Sequence, residues 1–103
     1  MPDRLSQLQA MLAKEPNDPF LLYGIAMEHK KQNNPTSALE FLARTITADS
    51  GYCYAYFQMG QVYESAGEIA AARKAYLDGI AAARTKGDGH ALSEISGALE
   101  MLG

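Results

Sequence analysis

The sequence predicts an all-α fold, a stack of antiparallel helical hairpins built from about six helices. Three observations lead there. Apolar residues recur at spacings of three and four along most of the 103 residues, as on one face of a helix. Short clusters of Pro, Gly, Asn and Asp break these runs into helix-sized pieces. The stretch from Tyr56 to Ile80 pairs large side chains with small ones on two successive helical faces, and a similar stretch precedes it. The one alternating segment, Tyr52 to Tyr56, runs straight into a helical pattern, so no strand is expected.

The first helix is expected over 4–14, with Leu5, Leu8, Met11 and Leu12 on one side. Glu15-Pro16 ends it, because proline disfavours helical geometry in the residue before it. Asp18 can then accept from the free amides of a new first turn, and Pro19 suits a position that needs no amide partner. This second helix reaches about Gln32, with Phe20, Tyr23, Gly24 and Met27 on one face and Leu21 and Ile25 widening it. Asn33-Asn34-Pro35 repeats the stop-and-start signal. The third helix, about 35–48, carries Ala38, Leu39, Leu42, Thr45 and Ile46 at helical spacing, with Phe41 aimed at a neighbour.

Asp49-Ser50-Gly51 is the next break. Tyr52 opens a fourth helix that ends near Ser65, and the fifth runs from Glu68 to about Arg84. Asp88 is placed to cap the last helix, 88–102, whose apolar side holds Ala91, Leu92, Ile95, Ala98, Leu99 and Leu102. Its other side is largely polar, as an end cap requires.

Laid over itself, the chain matches twice. Phe20, Tyr23, Gly24 and Met27 match Tyr56, Met59, Gly60 and Tyr63 at an offset of 36, and Ala38, Leu42, Thr45 and Ile46 match Ala72, Tyr76, Gly79 and Ile80 at 34. The difference implies a longer turn around Lys31 to Asn34 in the first copy. It also implies that Gly24 and Gly60 have equivalent surroundings, each a recess for a neighbour's bulk. A period of 34 with two helices per unit is the value for one class of helical solenoid.

On these residues the chain resembles the tetratricopeptide repeat (TPR) family, which implies that the hairpins stack as a right-handed α-α superhelix. The second copy matches the family pattern at Tyr56, Met59-Gly60, Tyr63, Ala66-Gly67, Ala72, Tyr76 and Gly79. The first offers Phe20, Tyr23-Gly24, Met27, Ala38, Leu42 and Thr45, while Ser50 and Arg84 stand where the family has proline. Pro16 sits where an earlier repeat would close, so the helix over 4–14 reads as a half-repeat, followed by repeat 1 over 17–49, repeat 2 over 50–84 and a capping helix over 88–102. The expectation is one complete domain.

Composition narrows the function. Nine basic against twelve acidic residues give a net charge of -3, the wrong sign for a general nucleic-acid binder, and Lys30-Lys31 and Arg73-Lys74 are isolated pairs. No stretch approaches a membrane span or a signal peptide, and the single cysteine cannot form an internal disulfide. A cytoplasmic protein is expected. His29, His90 and Cys53 belong to no metal or nucleophile spacing; they read as a solvated or dipole-contacting histidine, a loop-ordering histidine and a small buried filler. No catalytic residue, cofactor or metal is expected.

What remains is surface. The resemblance implies a non-catalytic protein-interaction module or scaffold that holds a partner's peptide or helix in the concave groove lined by the first helix of each repeat. Matching groove positions are Asp18, Leu21, Ile25, Glu28 and His29 in the first copy and Tyr54, Phe57, Gln61, Glu64 and Ser65 in the second. Of these, Leu21, Ile25, Glu28, Tyr54, Phe57, Gln61 and Glu64 form the candidate site, an apolar floor with an acidic rim. Such a site suits a segment carrying basic residues and disfavours a terminal carboxylate. Tyr56, Tyr63 and Tyr76 are expected in the core, and Tyr52 and Tyr54 at the contact surface. Two alternatives stay open. The N-terminal helix or the curvature of the stack can cover Leu21, Ile25 and Phe57, and surplus apolar surface can form a homodimer, although a monomer is favoured.

Overall fold

In a computed structural model describing residues 3–102, six α-helices and no strands are found among the described residues. The chain divides into two compact units, one on either side of the Asp49–Ser50 bond.

The first unit contains α1 (Arg4–Lys14), α2 (Pro19–Lys31) and α3 (Pro35–Ala48). Each start has a local cause. The Asp3 carboxylate accepts from the Ser6 amide at 2.8 Å, and Asp18 accepts from Phe20 at 2.9 Å and Leu21 at 3.4 Å. Pro19 and Pro35 occupy the first turns of α2 and α3, where a missing N–H costs nothing. Leu8 of α1 closes over Leu21 and Ile25 of α2, with Leu5, Leu12 and Phe41 packed around them. Fully burying one such leucine contributes roughly 1.5–3 kcal/mol. Met11, grouped by periodicity with these leucines, is instead 54% exposed, and Phe20 is 66% exposed.

The second unit contains α4 (Cys53–Ser65), α5 (Ile69–Lys86) and α6 (Gly89–Leu102). Its core is Cys53, Ala72, Tyr76, Ile80, Ala83, Ala91 and Ile95, with Tyr63, Leu92, Leu99 and Leu102 packed against it. Tyr76 is fully buried, its ring lying where a side chain on Gly60 would stand. Gly79 gives the same kind of recess to Tyr56, and a Cβ there would meet Tyr56 Cβ at 2.8 Å. α5 continues past Arg84 to Lys86, because no helix breaker comes before Gly87, whose left-handed φ of 74° closes it. Asp88 caps the next helix by accepting from the Ala91 amide at 3.0 Å.

The internal repeat has a simpler register than the sequence matching implied. α2 and α4 are both 13 residues long, and the turns after them, 32–34 and 66–68, are of equal length. Every element of the first hairpin therefore begins 34 residues before its counterpart, with no longer turn. Gly60 corresponds to Ala26, which is fully buried, and not to Gly24. The expected equivalence of Gly24 and Gly60 fails accordingly. A Cβ on Gly24 would sit 3.3 Å from Leu8 Cδ1 of α1, whereas one on Gly60 would overlap an aromatic ring of its own hairpin. The glycine pair misled because alanine makes the recess in the first copy. The period itself extends further: Leu8, Leu42 and Tyr76 recur every 34 residues on α1, α3 and α5, and all three are buried.

Candidate functional site

The seven candidate residues fall into two groups, one in each unit. In the first unit, Leu21 is 3% exposed and Ile25 fully buried beneath Leu8 of α1. They form core, not groove floor, because α1 packs on that side of α2. Glu28 is half-buried, and its Oε2 lies 3.7 Å from Arg4 Nε, so α1 also faces this carboxylate. His29 follows. Its ring stacks on Phe41 with centroids 5.6 Å apart, and Nδ1 is buried without a hydrogen-bond partner. It is therefore not the solvated histidine that its helix-terminal position suggested. Arg44 lies 4.8 Å above the other partner in this stack, the Phe41 ring.

In the second unit the candidates share one face of α4. Tyr54 and Phe57 meet edge to face at 6.3 Å, and both are half-buried against the core. The Phe57 ring lies 6.3 Å from that of Tyr76, whose hydroxyl donates to Glu64 Oε1 at 2.9 Å. Gln61 is half-buried and Glu64 exposed. Burial and the Glu64 carboxylate together hold the Tyr76 phenol far above the usual tyrosine value. Phe57, Tyr76 and Glu64 thus form a continuous path from core to surface.

The 34-residue register identifies what corresponds to this α4 face on α2. The counterparts of Tyr54, Phe57, Gln61 and Glu64 are Phe20, Tyr23, Met27 and Lys30. Exposure matches at the middle of the face, where Tyr23 and Phe57, and Met27 and Gln61, are half-buried and Leu21 and Ala55 are buried. At its ends it differs, Phe20 being exposed against a half-buried Tyr54 and Lys30 half-buried against an exposed Glu64. Partial burial lowers the Lys30 ammonium below the usual lysine value. The sequence reading missed this set because its match on α2 was displaced by two residues. The equal spacing from Pro35 and Ile69 back to the preceding helices was the available signal.

Elsewhere, Cys53 is a buried free thiol whose Sγ donates to the Gly51 carbonyl at 3.3 Å. His90 Nε2 lies 2.8 Å from Glu94 Oε1, one turn on in α6. A cleft of about 440 Å³ beside the α1–α2 turn is lined by Asn17, Leu22, Arg44, Thr47 and Ala48.

No family model matches the chain. A TPR repeat-containing protein of Pseudomonas aeruginosa is 32% identical to it over 89 residues, covering 86% of this chain and 85% of that protein. The chain belongs to the tetratricopeptide repeat family. The solution structure of a TPR domain protein from Salinibacter ruber agrees, at 33% identity and a TM-score of 0.79 over 84% of this chain and 88% of that one. A type III secretion translocator chaperone of Yersinia enterocolitica superposes with a TM-score of 0.86 over 95% of this chain and 68% of that one. At 15% identity, that likeness shows the TPR-like fold alone. No helix among the described residues of this TPR protein is long and apolar enough to cross a membrane.

Proposed function

We propose that this TPR protein is a non-catalytic interaction module in which the first helix of each hairpin offers a contact face to a partner protein. The contact residues are Phe20, Tyr23, Met27 and Lys30 on α2 and Tyr54, Phe57, Gln61 and Glu64 on α4. One observation carries the reading: two hairpins present an aromatic pair at the same places, and Phe20 is 66% exposed. Aromatic side chains give large contact area at low entropic cost, which suits recognition more than solvation. Lys30 on α2 and Glu64 on α4 stand at corresponding places with opposite charge, so beside its apolar contacts the α2 face suits an acidic partner residue and the α4 face a basic one. Leu21, Ile25 and Glu28 support this face from α1's side of α2 without forming it. We place the protein in the cytoplasm, where a buried free thiol such as Cys53 stays reduced.

The test is affinity capture from the native organism with the unaltered chain, Phe20→Glu and Phe57→Glu, with helicity followed by circular dichroism. Partners held by the unaltered chain are lost from both variants while helicity is kept. Capture that both folded variants retain removes the reading.

A further inference from the structure

The cleft beside the α1–α2 turn has a filled counterpart in the second hairpin. Its lining residues Asn17, Leu22, Arg44, Thr47 and Ala48 correspond, 34 residues on, to Gly51, Tyr56, Asp78, Ala81 and Ala82. The turns before α2 and α4 are of equal length, so Pro16 likewise corresponds to Ser50. In the second hairpin the Tyr56 side chain runs from beside Gly79 to the turn, where its hydroxyl donates to the Ser50 carbonyl at 2.9 Å. Leu22 holds the place of Tyr56 and is buried. A leucine lacks the reach of a tyrosine ring and hydroxyl, and the cleft of about 440 Å³ opens beside it.

We propose that this cleft is a second binding site, which takes a tyrosine side chain of a partner protein with a carboxylate beside it. It shares no residue with the contact faces of α2 and α4 and does not rest on them. The internal repeat supplies the shape. An incoming tyrosine lies where the second hairpin provides its own, and its hydroxyl donates to the Pro16 carbonyl as Tyr56 does to that of Ser50. The volume falls at the lower end of the range for ligand pockets, about 300–1,000 Å³, which fits one ring and its flanking backbone. Charge supplies the neighbour. Arg44 stands in the place of Asp78, whose carboxylate is paired with Lys74 at 2.9 Å, while no carboxylate among the described residues pairs with Arg44. Its Cζ lies 4.8 Å from the centre of the Phe41 ring, and that contact leaves guanidinium N–H groups for a planar acceptor. Asp18 and Asp49 flank the cleft in sequence but do not line it. Asn17 and Thr47 add polar side chains where the second hairpin has only Gly51 and Ala81. The Thr47 hydroxyl donates to the Ala43 carbonyl at 3.1 Å, so its oxygen can accept from the partner's backbone amide.

Titration of the full chain with the capped tetrapeptide acetyl-Ser-Asp-Tyr-Ser-amide, followed by two-dimensional NMR, tests this directly. Saturable shifts are expected at Asn17, Thr47 and Ala48, with a dissociation constant on the order of 1 mM, as suits one ring and one ion pair. Leucine in place of the peptide's tyrosine should weaken binding about tenfold, and lysine in place of its aspartate about fivefold. Arg44→Glu, at an exposed position, should reverse the preference between the aspartate and lysine peptides. Leu22→Tyr should fill the cleft from within, as Tyr56 fills its counterpart, and abolish the shifts. No saturable shift at those three residues up to about 10 mM peptide overturns the proposal. A leucine peptide that binds as well as the tyrosine one overturns it too, as does a folded Leu22→Tyr chain that still binds. If Leu22→Tyr does not fold, Arg44→Glu still decides, because an unchanged preference for the aspartate peptide is equally fatal.

Discussion

The ring of Tyr76 fills the space that a side chain on Gly60 would need. Gly60→Ala therefore forces a methyl into a fully buried aromatic ring that has no room to withdraw. Overpacking typically costs about 1–3 kcal/mol, of which the better helix propensity of alanine returns about 1. Gly24→Ala meets only the flexible end of Leu8, at 3.3 Å, so the same change there should be neutral or slightly stabilising. Denaturant unfolding of both variants tests the contrast. Equal losses at the two glycines would mean that the hairpins share the register in which Gly24 and Gly60 correspond.

Tyr76 also predicts an alkaline limit. Its phenol is raised by burial first and by the Glu64 hydrogen bond second. An unfolded tyrosine loses its proton near pH 10, while the folded one keeps it. The unfolded state therefore binds fewer protons above that point, and stability falls as pH rises. The contribution is fully present below about pH 10 and is lost progressively above it. Tyr76→Phe should cost about 1 kcal/mol at neutral pH, from the lost hydrogen bond, and flatten the decline between about pH 9 and about pH 11. Urea unfolding across that range measures both effects.

The turns of the two hairpins differ in one telling residue. Gly67 has a φ of 78°, and its counterpart Asn33 holds 59° with a side chain attached. Asparagine tolerates the left-handed region better than most residues, but glycine adopts it without steric cost. Asn33→Gly should therefore stabilise the first unit by up to about 1 kcal/mol, and Gly67→Ala should destabilise the second by about as much. Thermal unfolding would show opposite shifts.

The helices were legible because their boundaries are chemical. Asp18 before Pro19, Pro35 after two asparagines, and Asp88 after glycine each mark a first turn, and α2, α3 and α6 begin within a residue of those marks. Register was harder to read. A recess for a partner's bulk is defined by what stands opposite, and Ala26 serves in one hairpin as Gly60 does in the other. Two visible glycines therefore drew the match two residues away from the true one. That displacement moved half of the candidate face from Phe20, Tyr23, Met27 and Lys30 onto Leu21, Ile25 and Glu28. Periodicity cannot separate a buried apolar residue from an exposed one on the flank of the same helix, as Met11 and Phe20 illustrate.

His29 offers a final test of that register. It occupies the place of Tyr63, stacks on Phe41, and keeps Nδ1 buried without a hydrogen bond. Leaving such a polar atom unsatisfied typically costs about 1–3 kcal/mol. An apolar ring of similar size keeps the stacking and removes the desolvated nitrogen. His29→Phe should raise stability by about 1 kcal/mol, while His29→Ala should lower it by removing the contact with Phe41 as well. Chemical denaturation separates the two effects. A loss in the phenylalanine variant would show that the imidazole is held by a polar contact that the ring stacking alone does not replace.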